Sequence, residues 1–224
     1  MFFEDDLEPR TRVKICGLTT LEHARYASGA MADFLGYIFY EKSPRYINPS
    51  EAAAIITWIE GPANVGVFVN QSIDDVNDIA KLTGIEYVQL HGDESPEYCE
   101  LIEKPIIKAF RVKADDTPES LHEKIQPFRD AASYFLFDAY SSDVYGGSGK
   151  VFNWDILKEF DSPRPFLLAG GLSAENVKDA VNKVHPYGLD VSTSLEEKPG
   201  LKSFEKMETF FDVMQGIWDG QHDE

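Results

Sequence analysis

Arg12-Val13-Lys14-Ile15-Cys16-Gly17 is the stretch on which the reading of the whole chain turns. Five residues suited to a short strand run into a glycine, the usual mark of a turn. Side chains alternate across a strand, so Arg12, Lys14 and Cys16 share one face and Val13 and Ile15 the other. In a closed sheet covered outside by helices, the polar set points inward and Cys16 stands at the C-terminal rim. Barrels of parallel strands carry their catalytic groups at that rim.

Working outward, strand-like and helix-like segments alternate eight times. The strand stretches are 12–16, 33–39, 64–69, 87–90, 106–110, 134–138, 166–169 and 188–191. Helical stretches lie near 21–28, 49–59, 73–82, 96–102, 119–125, 154–160 and 174–183, with a last one from 204 to about 218. Thr19 with Glu22, and Asn48 with Glu51, have the spacing of reciprocal helix caps, and Asn48-Pro49 and Ser95-Pro96 put proline at the first helical position. Eight such units within 224 residues favour one closed barrel over an open doubly wound sheet. The expected fold is therefore α/β, a single (β/α)8 TIM barrel over 12–218. An acidic extension, 1–11, expected to be flexible, precedes it, and a short tail, 219–224, follows. Glu4, Asp5, Asp6 and Glu8 at one end, and Asp219, Asp223 and Glu224 at the other, read as frayed, solvated termini.

An apolar share of 43% is ample for a core of this size. No segment approaches the roughly 20 uninterrupted apolar residues of a membrane span, and the acidic N-terminus is unlike a signal peptide. Two cysteines are too few for a disulfide scaffold and have no metal-ligand spacing with the five histidines. The expected class is a cytoplasmic protein with free thiols and no membrane partner. A formal charge of −18 counts against nucleic acid as a partner. It also repels small anions at long range, although salt screens this beyond about 10 Å, so an anionic substrate needs a local positive site. Monomers and homodimers both occur on this fold, and the sequence does not choose between them.

Candidate chemistry lies at the ends of the strands. A lone cysteine there is more often a small buried hydrophobe, but Cys16 sits at the active rim beside an open glycine turn. Asp138 ends the apolar run Tyr134-Phe135-Leu136-Phe137, where a carboxyl is costly unless it is paired or used, and desolvation there should raise its pKa. The loop after it contains Gly146-Gly147-Ser148-Gly149, which suits close approach to a ligand. Arg45, in Ser43-Pro44-Arg45-Tyr46 after the second strand, has a fork that fits a carboxylate. Gly170-Gly171 after the seventh strand and Ser192-Thr193 after the eighth match the pair of loops that often holds a phosphate in such barrels. Lys14, Gln89, His91, Lys108 and Asp190 are polar residues of expected inward parity. The first and eighth strands are neighbours in a closed barrel, so Lys14 and Asp190 are expected to form a buried ion pair, since either charge alone would be expensive. His91 and Gln89 read as structural residues of the inner barrel.

Taken in order, several stretches resemble the phosphoribosylanthranilate isomerase family of tryptophan biosynthesis. They include Val13-Lys14-Ile15-Cys16-Gly17-Leu18-Thr19, Lys42-Ser43-Pro44-Arg45-Tyr46-Ile47, Val88-Gln89-Leu90-His91-Gly92-Asp93-Glu94, Phe137-Asp138, Gly146-Gly147-Ser148-Gly149-Lys150-Val151-Phe152-Asn153-Trp154, Leu168-Ala169-Gly170-Gly171-Leu172 and Leu189-Asp190-Val191-Ser192. The likeness runs from Arg12 to about Phe210. It implies an Amadori rearrangement of N-(5-phosphoribosyl)anthranilate to 1-(2-carboxyphenylamino)-1-deoxyribulose 5-phosphate, the third step of tryptophan synthesis from chorismate. It further implies Asp138 as general acid, Cys16 as general base, Arg45 on the anthranilate carboxylate, and Gly147, Gly170, Gly171, Ser192 and Thr193 around the phosphate. Acid–base chemistry suffices, so no metal and no organic cofactor is expected. A thiol is a weak base at its ordinary pKa, and Lys14 is the expected helper toward thiolate.

The sequence departs from the family at Ser194, where a small residue is usual, and at Ser203, where aspartate is common. Ser203 is expected to act only as a helix cap. Two other readings stay open: another phosphosugar isomerase on the same barrel, against which Cys16 speaks because those resemble a two-carboxylate solution, and a silent phosphate-binding barrel, against which the presence of both Cys16 and Asp138 speaks.

Overall fold

In the computed structural model, which describes residues 10–113, 115–138, 154–158 and 160–222, eight parallel strands close on themselves in sequence order. They are β1 (Arg12–Cys16), β2 (Phe34–Ile38), β3 (Ala63–Phe68), β4 (Tyr87–Leu90), β5 (Ile106–Arg111), β6 (Tyr134–Asp138), β7 (Phe166–Ala169) and β8 (Gly188–Val191). Strand β1 closes the ring: Lys14 lies opposite Phe34 of β2 on one side and Asp190 of β8 on the other.

Side-chain parity divides the core into two layers. Phe34, Val65, Ile107, Ala109, Leu136, Leu167 and Ala169 fill the barrel interior. Val13, Ile15, Leu35, Phe68, Leu90, Phe137 and Leu189 face outward into the larger layer under the helices. Arg12, Lys14 and Cys16 therefore point inward, as alternation requires. Lys108 does not. Ile107 and Ala109 take the interior, and Lys108 is buried outside the barrel, with its Nζ 2.9 Å from Glu94 Oε2 and 2.7 Å from the Gly92 carbonyl. That side of the sheet supplies both a counter-ion and carbonyls, so the charge is satisfied away from the site.

The helices are α1 (Leu21–Gly29), α2 (Pro49–Ile56), α3 (Ile73–Thr83), α4 (Pro96–Cys99), α5 (Pro118–Ile125), α6 (Val177–Val184) and α7 (Phe204–His222). Asn48 and Ser95 cap α2 and α4 ahead of their prolines. The cap of α1 is Thr20, whose hydroxyl accepts from the His23 N–H, and not Thr19, whose hydroxyl instead donates to the Gly200 carbonyl. For α2, Asn48 accepts from Ser50 rather than from Glu51. The expected helix at 154–160 is only a 3-10 turn, Trp154–Leu157. Helix α7 outruns its expected end because Gln221 pairs with Thr11 in both directions at 2.9 Å and Trp218 donates to the Thr11 carbonyl at 2.7 Å. Residues 1–9, 223 and 224 lie outside the described residues, and with them nine of the eleven residues of the expected N-terminal extension and two of the six of the expected tail.

Candidate active site

Cys16 ends β1 and is buried with 6% of its surface exposed. Space for it is made by Gly36 on the neighbouring strand, where an added Cβ would lie 2.9 Å from Cys16 Sγ and 3.0 Å from Lys14 Nζ. Glycine here brings thiol and ammonium together inside the rim. Lys14 is fully buried, and its Nζ lies 2.8 Å from Asp190 Oδ1, the pair expected from parity. Burial works against the Lys14 charge, but Asp190 and Cys16 more than offset it and hold the pKa above its ordinary value. For Cys16 the balance runs the other way. Burial pushes the thiol up, and Lys14 opposes this without reversing it. The expected help toward thiolate is thus present in sign but outweighed.

Asp138 ends β6, with Oδ2 3.5 Å from His91 Nε2. His91 is in turn 2.9 Å from Gln89 through Nδ1. Gln89 Oε1 is buried with no hydrogen-bond partner among the described residues. His91 and Gln89, read from sequence as structural, both face the cavity and touch the carboxylate directly or through one neighbour.

Arg45 reaches the same rim from the loop after β2, which an Ile38–Tyr46 bridge holds in line with the strand. Gly17, at φ 78°, clears its path: a Cβ there would sit 2.8 Å from Arg45 Cδ. Arg45 Nε and Nη2 donate to Glu196 Oε1 and Oε2 at 2.8 and 2.7 Å. Glu196 belongs to a two-stranded hairpin, β9 (Glu196–Lys198) and β10 (Leu201–Lys202). Sequence reasoning missed Glu196 and Lys202, because charges in a short Pro-Gly hairpin resemble solvated loop residues.

The two glycines after β7 have φ of 95° (Gly170) and 69° (Gly171), backbone that favours glycine. After β8, Ser192 donates to the Cys16 carbonyl at 3.0 Å, and a 3-10 turn, Thr193–Leu195, follows. Ser194 ties the two loops together by donating to the Leu172 carbonyl at 2.5 Å. Ser203 accepts from the Lys206 N–H at 3.3 Å and so caps α7, as expected.

Cys16, Asp138, Arg45, Gln89, His91, Gly170, Gly171, Asp190, Ser192 and Thr193 all line one cavity of about 510 Å³. Gly147 lies outside the described residues. Among the described residues no group of three or more His, Cys, Asp or Glu is disposed to hold a metal, and no helix is long and apolar enough to cross a membrane. The cavity thus offers a thiol and a carboxyl as proton carriers, a guanidinium at one side and two loops with open backbone at another. Such a set can move protons on an anionic sugar derivative without further groups.

The family model described as N-(5'phosphoribosyl)anthranilate (PRA) isomerase matches residues 13–213. N-(5'-phosphoribosyl)anthranilate isomerase of Geobacter sulfurreducens is 45% identical over 206 residues, covering 92% of this chain and 98% of that protein. The crystal structure of phosphoribosyl anthranilate isomerase from Thermotoga maritima superposes with a TM-score of 0.83 at 36% identity, covering 92% of this chain and 100% of that one. Another crystal structure of such an isomerase, in complex with reduced 1-(o-carboxyphenylamino)-1-deoxyribulose 5-phosphate, gives a TM-score of 0.80 at 33% identity, with coverage of 92% and 100%.

Proposed function

The chain belongs to the N-(5'-phosphoribosyl)anthranilate isomerase family, and from that premise we propose how its own residues divide the work. The activity is an isomerisation within one molecule, the Amadori rearrangement of phosphoribosylanthranilate in tryptophan biosynthesis. Asp138 acts as general acid and protonates the furanose ring oxygen, so that the C1′–O bond breaks and an iminium forms at C1′. Cys16, as thiolate, removes the proton from C2′ and gives an enolamine. The enolamine then gains a proton at C1′ and loses the one on its C2′ oxygen, leaving the ketone. C1′ is reduced as C2′ is oxidised, so no external oxidant enters the balance.

Arg45 binds the anthranilate carboxylate. The backbone of Gly170 and Gly171, with Ser192 and Thr193, binds the phosphate. Gln89 Oε1 accepts from a sugar hydroxyl. A base that must remain a free thiol suits a reducing compartment, which favours the cytoplasm.

The observation that carries this reading is the single cavity that both candidate proton carriers and both candidate anion sites line. Its test is turnover followed by the fluorescence of phosphoribosylanthranilate. Cys16→Ser and Asp138→Asn are each expected to lower kcat/KM by roughly 10²–10⁴-fold, the usual worth of a positioned proton carrier. Either variant keeping activity within a few-fold of wild type would remove that residue from its role.

A further inference from the structure

We propose that Glu196 and Lys202, which lie outside the cavity wall, set the charge and the aim of Arg45, and that the three side chains form a receptor selective for a carboxylate-bearing substrate. This rests on the assignment of Arg45 to the substrate carboxylate.

That assignment alone meets a difficulty. Glu196 grips two nitrogens of Arg45, at 2.8 and 2.7 Å, and a guanidinium already neutralised by a buried carboxylate attracts a second one weakly. Lys202 resolves it. Its Nζ lies 3.1 Å from Glu196 Oε1, the same oxygen that Arg45 Nε holds, and its side chain is completely buried. Burial lowers the Lys202 pKa, and Glu196 offsets this only in part. With its ammonium retained, two cations around one anion leave a net charge of +1, and among the described residues no other carboxylate lies within salt-bridge distance of either cation. Burial would push the Glu196 carboxyl up, but Arg45 and Lys202 hold it below its usual range, so it stays ionised. Of the three, only Arg45 lines the cavity, and the surplus charge is therefore presented to the substrate through it.

Aim follows from the same contacts. The two-pronged grip fixes the plane of the guanidinium and leaves Nη1 as the nitrogen that Glu196 does not engage. Lys202 also donates to the Ser192 carbonyl at 3.0 Å, tying the carboxylate receptor to the loop proposed for phosphate. A plain loss of affinity in a Lys202 variant would therefore be ambiguous. A ratio of affinities is not, because a phosphate-loop defect cancels between two ligands with the same phosphate.

The probes are reduced 1-(o-carboxyphenylamino)-1-deoxyribulose 5-phosphate and its counterpart lacking the carboxylate, with Kd measured for each by titration calorimetry. A Kd ratio also does not depend on the folded fraction of a variant. Wild type should prefer the carboxylated ligand, and Arg45→Gln should abolish the preference. Lys202→Met, which removes charge, and Glu196→Asp, which keeps the charge but shortens the reach to Arg45 and so removes aim, should each reduce the preference by about tenfold or more, the scale of one charge-assisted hydrogen bond. Lys202→Arg should restore it. Equal weakening of both ligands in Lys202→Met and Glu196→Asp, with Arg45→Gln still abolishing the preference, overturns this inference and leaves the Arg45 assignment standing. A preference untouched by Arg45→Gln overturns both.

Discussion

Cys16 is held between opposing influences, and its titration tests which one wins. Burial favours the neutral thiol and Lys14 favours the thiolate, with burial ahead. In a Cys99→Ala background, alkylation of Cys16 should accelerate with pH as thiolate forms, with a midpoint above the ordinary thiol value of about 8.5. Lys14→Met removes the main attraction for the thiolate, so the midpoint should move further up; an unchanged midpoint would exclude Lys14 as its electrostatic partner. The Lys14–Asp190 pair makes a second prediction. Both side chains are at least nine-tenths buried, so Asp190→Asn should cost roughly 3–5 kcal/mol in urea unfolding by stranding a buried ammonium. A loss under about 1 kcal/mol would mean that the ammonium finds another partner or sheds its proton. This pair was legible in the sequence because strand parity and barrel closure leave Lys14 and Asp190 one place to meet. Glu196 and Lys202 were not, since no periodicity distinguishes a buried charge in a seven-residue hairpin from a solvated one. Lys108 misled for a related reason: a lysine inside a strand can face either layer when both supply a counter-ion.

At the scale of elements, the strands were easier to read than the helices that join them. Each strand is buried on both faces, so its apolar run is nearly continuous and its ends are sharp. A helix end depends on which of two adjacent side chains reaches a backbone N–H. Thr19 and Thr20 both have the chemistry, but Thr19 is drawn off to Gly200 in the hairpin loop, and Thr20 caps α1. Thr20→Ala should therefore cost about 1 kcal/mol of stability in denaturant unfolding. A neutral result would show that the cap hydrogen bond, 3.3 Å long, adds little. Of the stretch 154–160, only Trp154–Leu157 forms a helical turn among the described residues, and it is a 3-10 turn.

The whole molecule carries a charge of −18 and must fold and bind a phosphate in spite of it. Self-repulsion of that size destabilises a compact state and is screened as the Debye length falls from about 30 Å at 0.01 M salt to about 8 Å at 0.15 M. The thermal midpoint should accordingly rise by about 2–4 °C over that interval, equivalent to roughly 1 kcal/mol for a chain of this size. A flat response would mean that the acidic groups are already spaced or paired well enough. The barrel also separates its tasks in space. Apolar layers fill the interior below the rim, while the rim holds the proposed acid, the proposed base and both proposed anion sites, so the chemistry can be interrogated without unfolding the scaffold. The most direct test of the division of labour is the isotope effect with substrate deuterated at C2′. In Cys16→Ser the proton abstraction should become fully rate-limiting and express a full primary effect, while in Asp138→Asn slow ring opening should suppress it to near unity. The reverse pattern, or a full effect in both variants, would contradict the assignment of Cys16 to the C2′ proton and Asp138 to the ring oxygen.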